Sequence, residues 1–398
     1  MNKKQSVIFI SIFAISFILI ALFNYFIDPY NVFNGRLHSN KPFVYENMRA
    51  VLYPKMKFDY YSKPDVVFIS SSNLYSSVLP ENFYKISNGK KIQKIFMLGK
   101  TSSEDLSIAK AYLKLHPNTK DLYITLDFEH FIDLNNNFLP EFTGKNLNLH
   151  EFMTLFYSIQ TTKYSLVTLK EYTLPLAYAN WVYKARENST LKEIPFIRDY
   201  RVSVSKSIRP RFIFTFFDHN KYNETCIDNI KELKKFADEN GVKTHFFVSP
   251  SHALTIANIY KSGYRDEFIR FKKELAQITD YVDFKYISPE NTCPITIHGG
   301  YYSDPFHGKP ELGNHVIQKM LNLDSATFGH EITKDNVDEV VAKEDAEILD
   351  YINKNSDEIK KYMSYTFEDL GYYESESYEL ETRQEFLDAQ KRNEQFNF

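Results

Sequence analysis

Two short stretches, far apart in the chain, carry residue types that could work together on an acyl group. The first, PDVVFISSSNLY from Pro64 to Tyr75, runs four apolar residues, Val66 to Ile69, straight into three serines. A buried parallel strand looks like this as it reaches the rim of its sheet, which is where open α/β sheets place their chemistry. A serine at such a strand-to-helix turn can hold its hydroxyl clear of the core and act as a nucleophile beside a base; the same residues also serve as turn formers and helix caps. The second stretch, YYSDPFHGKPELGNH from Tyr301 to His315, holds Asp304 and His307 three apart in a loop. That spacing lets the carboxylate accept from Nδ1–H while Nε2 points elsewhere, the orienting and proton-accepting half of a serine triad. A solvated loop, a helix cap or a metal ligand would use the same pattern.

Three more residues fall where strand ends are expected. Asp127 closes LDFEHF, His252 stands in VSPSH, and His298 in IHGGYY. Each is a candidate to bind substrate, with a plain surface role as the alternative. His298 could join Asp304 and His307 around a metal, but the chain lacks a second compact pair of ligands, so no metal is expected. There is no Gly-rich phosphate loop after a strand and no cofactor is expected.

Positioning these residues requires a sheet. Apolar runs at Val66 to Ile69, Ile92 to Leu98, Leu122 to Leu126, Lys243 to Val248 and Val282 to Tyr286 predict five strands. Helices are predicted from Ser103 to Leu115, with Ser102 as N-cap and Asp105 in the capping-box position, from Tyr222 to Asn240, closed by Gly241, and from Pro310 to Leu323. Strands alternating with helices imply α/β class: a parallel, doubly wound sheet with right-handed crossovers. The interval from Asp133 to Phe217 breaks that rhythm and reads as an inserted helical subdomain, either a lid or platform at the rim or extra packing outside the sheet.

The ends of the chain differ from its middle. Val7 to Phe23 is almost purely apolar, and Ser6 to Ile27 is 22 residues, enough for a helix to cross a bilayer. Lys3 and Lys4 would keep the N-terminus in the cytoplasm and place the body outside, in the periplasm or beyond the cell. An uncleaved anchor is the reading adopted, a cleaved signal peptide its rival. A juxtamembrane segment, residues 28–62, follows, and the α/β domain is expected over 63–325. From Ala326 to Phe398 there are 19 acidic against 8 basic residues, a net −11 in a chain whose total is −3. This predicts an acidic helical appendage on a mildly basic body, and the overall balance argues against a nucleic-acid partner. Cys226 and Cys293 are the only cysteines, so one disulfide or two buried thiols both remain open.

Taken together, the serine cluster after the first strand and the Asp-x-x-His before the last helix resemble the SGNH (GDSL-type) hydrolase superfamily, over roughly Pro64 to Leu323 less the insertion. The resemblance implies a five-stranded, flavodoxin-like sheet and a triad of Ser72, His307 and Asp304, with Ser70 on the family's glycine. It also implies oxyanion donors from the backbone of Ser72 and from Gly99 in MLGKTSS. The chain departs from the family at the third donor: strand three ends in Leu126-Asp127-Phe128 with no nearby Asn, an ionised Asp127 would repel an oxyanion, and Asn73 is the substitute within reach. The apolar N-terminus, DPY and LDFEHF resemble the cell-envelope branch that includes alginate O-acetylation and teichoic acid D-alanylation proteins. That branch implies an esterase or O-acyltransferase working on acyl groups of an envelope polysaccharide, with a membrane acyltransferase as partner. The alternative is a catalytically weak relative that binds glycan or scaffolds an envelope complex.

Overall fold

The computed structural model describes residues 3–30, 32, 48–58, 64–75, 77–97, 99–132, 142, 144–145, 148–173, 222–293, 301–302 and 305–363. In chain order the helices are α1 Lys3–Ile27, α2 Met48–Phe58, α3 Ser72–Tyr75, α4 Pro80–Ile86, α5 Ser102–Leu115, α6 Leu149–Tyr157, α7 Ile159–Thr173, α8 Glu224–Glu239, α9 Ala253–Lys261, α10 Arg265–Ala276, α11 Pro310–Met320, α12 Val337–Lys354 and α13 Ser356–Met363. The strands are β1 Val66–Ser70, β2 Ile92–Phe96, β3 Asp121–Leu126, β4 Lys243–Val248, β5 Tyr281–Asp283 and β6 His330–Ile332. The chain divides into two compact units, one gathering the described parts of residues 1–63, 110–116 and 140–190, the other those of 64–109, 117–139 and 191–398.

The first unit is built on α1, which is long and apolar enough to cross a membrane, a property that signal sequences share. Its side chains from Val7 to Leu22 are largely exposed, as a lipid-facing helix requires. Helices α6 and α7, the described part of the expected insertion, pack against it; the remainder of that insertion lies outside the described residues.

The second unit contains one sheet of order β2-β1-β3-β4-β5-β6. Neighbours from β2 to β5 are parallel, and β6 is antiparallel to β5. The chain leaves β1 toward one edge to make β2, then returns past β1 to make β3. This places a topological switch point between the carboxyl ends of β1 and β3. Aromatic side chains line one face: Tyr123 lies 5.8 Å from Phe247, Phe247 lies 6.1 Å from Phe284, and Phe284 lies 5.0 Å from Phe328 (ring centroids). Leu312 and Val316 of α11 cover this row, giving the chain's many Phe and Tyr a place in a core poor in glycine.

The sheet has six strands where five were expected, because residues 330–332 add an edge strand from the stretch read as an appendage. A buried charge cluster fixes it there. Lys272 of α10 lies 2.7 Å from both Asp283 at the end of β5 and Glu344 of α12, and Glu344 accepts from His330 Nδ1 at 2.5 Å. Lys285 donates to both carboxylate oxygens of Glu129 at 2.9 Å. These groups are almost fully withdrawn from water apart from the His330 ring, so breaking a pair would strand a buried charge. Residues 337–354 are thereby held to the sheet, not loosely docked.

Smaller differences have local causes. Thr101, not Ser102, caps α5: its hydroxyl accepts from Glu104 N–H at 3.3 Å while Glu104 accepts from Thr101 N–H at 3.1 Å. Asn223 caps α8, so that helix starts two residues later than expected. Helices α9 and α10, between β4 and β5, were not foreseen. Cys226 and Cys293 are both buried, and no disulfide joins them.

Candidate active site

Each of the three serines after β1 is handled differently. Ser70 ends the strand fully buried. Ser71 is also buried, its N–H donating to Thr125 Oγ1 at 3.4 Å and its hydroxyl accepting from Asn73 N–H at 3.3 Å. That bond to the residue two ahead turns the chain out of the strand. Ser72 opens α3 and is the half-exposed member of the three.

Asn73 is the hub of the site. Its side-chain Nδ2 donates to Asp127 Oδ1 at 2.8 Å, tying the end of β1 to the end of β3 across the switch point. Its carbonyl accepts from Gly308 N–H at 3.3 Å. Ser72 and His307 are therefore each one residue from the two groups that share a single backbone hydrogen bond.

The loop carrying His307 is pinned on several sides. Tyr302 and Gly308 form an antiparallel bridge, and Lys309 N–H donates to the Tyr301 carbonyl at 2.7 Å. The Tyr302 hydroxyl donates to Asn291 Oδ1, whose amide in turn donates to the carbonyls of Phe284 and Tyr286 at 2.7 and 2.8 Å. The Pro305 carbonyl accepts from His252 N–H at 2.9 Å and from the Thr255 hydroxyl at 3.1 Å. Gly308 and Gly313 allow a close approach to the turn after α3: a Cβ on Gly313 would collide with the Ser77 carbonyl. His307 itself is half-buried. Asp304 and His298 lie outside the described residues.

His252 is buried and bonded inward. It is 3% exposed, its Nδ1 accepts from Leu254 N–H at 3.2 Å, and its Nε2 donates to the Cys293 carbonyl at 2.9 Å. Burial pulls its pKa down to about 4, against the opposing pull of the Cys293 carbonyl. It caps α9 and its N–H holds the Pro305 carbonyl of the His307 loop, at the residue expected from sequence to bind substrate. Asp127, the other sequence candidate at this rim, is 1% exposed, and its Oδ1 accepts from Asn73 and holds that amide.

Gly99 follows β2 at φ 53°, a backbone conformation natural to glycine. The next residue, Lys100, has no exposed surface. Its ammonium donates to both oxygens of Asp105 at 2.7 Å and to the Thr125 carbonyl at 2.5 Å. Thr125 thus braces both the Gly99–Lys100 corner and the Ser71 turn. Burial raises the Asp105 carboxyl to about 6, with Lys100 pulling it back. Sequence reasoning passed over Lys100; the available signal was a lysine directly after a strand-ending glycine, five residues ahead of an acid in the following helix. Among the described residues no group of three or more His, Cys, Asp or Glu could hold a metal.

No family model matches the chain, and no curated protein matches it. Among solved structures it is similar to a Bacteroides fragilis protein described as a "putative acylhydrolase", with 13% identity and a TM-score of 0.29 over 69% of this chain and 87% of that one. A superposition that loose decides neither fold nor activity. The functional reading rests on the rim geometry instead.

Proposed function

We propose that the protein is a serine esterase or O-acyltransferase of SGNH type, with Ser72 as nucleophile, His307 as base and Asp304 as the group that orients His307. One observation carries this reading: the backbone bond from Gly308 to Asn73 joins the half-exposed member of the Ser70–Ser72 cluster to the Asp-x-x-His loop, beside the sheet's switch point. In the reaction the Ser72 hydroxyl gives its proton to His307 as its oxygen bonds to the acyl carbon. His307 then returns that proton to the departing alkoxide as the ester C–O bond breaks. Water or a sugar hydroxyl, deprotonated by His307, attacks the acyl-serine, and His307 returns the proton to Ser72 Oγ as the acyl C–O bond to serine breaks. Backbone N–H groups of Ser72 and Gly99 are the proposed oxyanion donors, with the second Nδ2 hydrogen of Asn73 replacing the family's missing Asn.

The substrate class proposed is an acylated envelope polysaccharide, with the body outside the cytoplasm. An uncleaved α1 favours transfer from a membrane acyltransferase partner over simple hydrolysis. The second reading is a weakly active glycan-binding or scaffolding protein, favoured by the carboxylate of Asp127 lying against the side-chain amide of Asn73. Labelling the full chain with a fluorophosphonate tests the triad. Wild type should label, and Ser72→Ala and His307→Ala should not. Equal labelling of all three, or of none, removes the assignment. Acetate release from an acetylated glycan without an acceptor would mark an esterase.

A further inference from the structure

We infer that the corner between α6 and α7 is a second membrane-embedded element, lying in the acyl-chain region alongside α1. The inference concerns the first unit alone and does not rest on the proposed activity. Tyr157, the last residue of α6, stacks on Phe17 of α1 with ring centroids 4.0 Å apart and planes 3° from parallel. Phe17 stands ten residues before the end of α1 at Ile27. At about 1.5 Å per residue that is about 15 Å, half the thickness of a bilayer's apolar core. If α1 spans a membrane, the Tyr157 ring is carried toward its interior, while the backbone of the corner lies level with Asn24, about 5 Å inside the end of α1.

The composition of the corner fits that depth. From Phe152 to Thr162 the sequence FMTLFYSIQTT holds no charged residue. Ile159, at the tip, is 89% exposed, and Leu149 and Leu166 are 77% and 56% exposed. Large apolar side chains standing outward on a unit built around a lipid-soluble helix call for lipid, not water.

Protein supplies most of the hydrogen bonds at the corner, which is the condition for a break between helices inside a bilayer, although Asn24 Oδ1 and Ser165 Oγ find no partner. Ser158 N–H donates to the Thr154 carbonyl at 3.2 Å. Its hydroxyl accepts from Thr161 N–H at 2.9 Å, and Thr162 N–H and Oγ1 both donate to the Ser158 carbonyl, each at 3.1 Å. Asn24, an amide near the end of the mostly apolar α1, is 2% exposed and donates to the Phe156 carbonyl at 2.5 Å and to Thr162 Oγ1 at 3.0 Å. The hydroxyls of Tyr30 and Thr161 share a further bond of 3.3 Å. Polar side chains that join helices in this way are a feature of membrane packing.

The test uses the full chain in lipid bilayers, with a fluorophore on Ile159→Cys and references on Leu19→Cys in α1 and Leu349→Cys in α12; both native thiols are buried. The label at 159 should be quenched by lipids carrying a nitroxide on the acyl chain to within about twofold of the label at 19, and aqueous iodide should leave it bright. The label at 349 should show the reverse. Quenching of the 159 label by iodide overturns the inference. So does shielding from both quenchers, which would put a second copy of the chain on the corner, and so does an α1 label that nitroxide lipids do not reach.

Discussion

His252 offers a prediction whose sign and size both follow from its surroundings. One ring nitrogen must accept, from Leu254 N–H, and the other must donate, to the Cys293 carbonyl. This is the neutral imidazole, and protonation would turn a second donor on the Leu254 N–H. In the folded chain the ring stays neutral down to about 4, whereas an unperturbed histidine takes its proton near 6.5. Between those values the unfolded chain binds more protons, so stability is fully present above 6.5 and is lost as the pH falls toward 4. At 1.36 kcal/mol per unit, the gap amounts to about 3 kcal/mol. Asp105 works in the opposite direction. Its folded carboxyl, raised to about 6, takes a proton before the unfolded one does, so its contribution to stability grows as the pH falls through the same range. The raw pH profile therefore mixes both signs, and a comparison with His252→Asn separates them. Asn can still cap α9 but has nothing to titrate. Urea unfolding of the full chain in detergent, followed by circular dichroism from pH 7.5 to 4, should give a wild-type advantage that shrinks by about 3 kcal/mol across the range. An advantage that stays constant with pH would refute the buried neutral ring. Because His252 N–H also holds the Pro305 carbonyl, His252→Pro should loosen the His307 loop and slow fluorophosphonate labelling at neutral pH, where the ring's charge plays no part.

Gly313→Ala should be far worse than Gly308→Ala. The first drives a methyl group into the Ser77 backbone, which cannot move without displacing the turn after Ser72, while the second meets Leu312 Cδ2 at 2.8 Å, the end of a flexible side chain. Thermal unfolding should show losses of roughly 3 kcal/mol or more against roughly 1 kcal/mol, and equal losses would contradict the packing described. Lys272→Met leaves Asp283 and Glu344 buried without their shared cation and should cost about 3–5 kcal/mol in chemical unfolding; a cost under about 1 kcal/mol would mean that the cluster is solvated. Lys100→Met should destabilise by a similar amount, and Lys100→Met with Asp105→Leu should recover much of the loss, because the double change removes the stranded carboxylate. Additive losses would show that the two residues do not act as a pair.

The strands that could be read from sequence are those whose burial is written in apolar residues. β1 and β3 are continuous apolar runs flanked on both faces, and their edges were placed within a residue or two. β5, expected over Val282 to Tyr286, is the shorter Tyr281–Asp283, and β6, which begins with His330, has only three residues, too few to show a period. The α10 sequence RDEFIRFKKELA looks like a surface helix, yet Lys272 within it is 1% exposed, because its charge is cancelled by residues 11 and 72 positions away. Hydropathy cannot register a buried lysine whose partners come from other elements.

The same limit decided what could be read of the site. The serine cluster and the DxxH pair were visible because each is local in sequence. Which serine faces outward is not local: it follows from Ile69 lying opposite Ile124, which sets Ser71 beside the Thr125 hydroxyl and leaves Ser72 the next residue along. Asp127 illustrates the cost of reading residues singly. On its own, at a rim, it is a negative charge that would repel an oxyanion. Paired across 54 residues with Asn73, it becomes the acceptor that fixes the amide's orientation, and an acceptor holding one Nδ2 hydrogen aims the other. The carboxylate that weakens the case for catalysis in the sequence is, in the folded chain, what would make Asn73 a directed donor. Asn73→Asp therefore tests whether direction or mere polarity matters: it keeps a polar group of the same size while setting two carboxyls against each other and removing the donor.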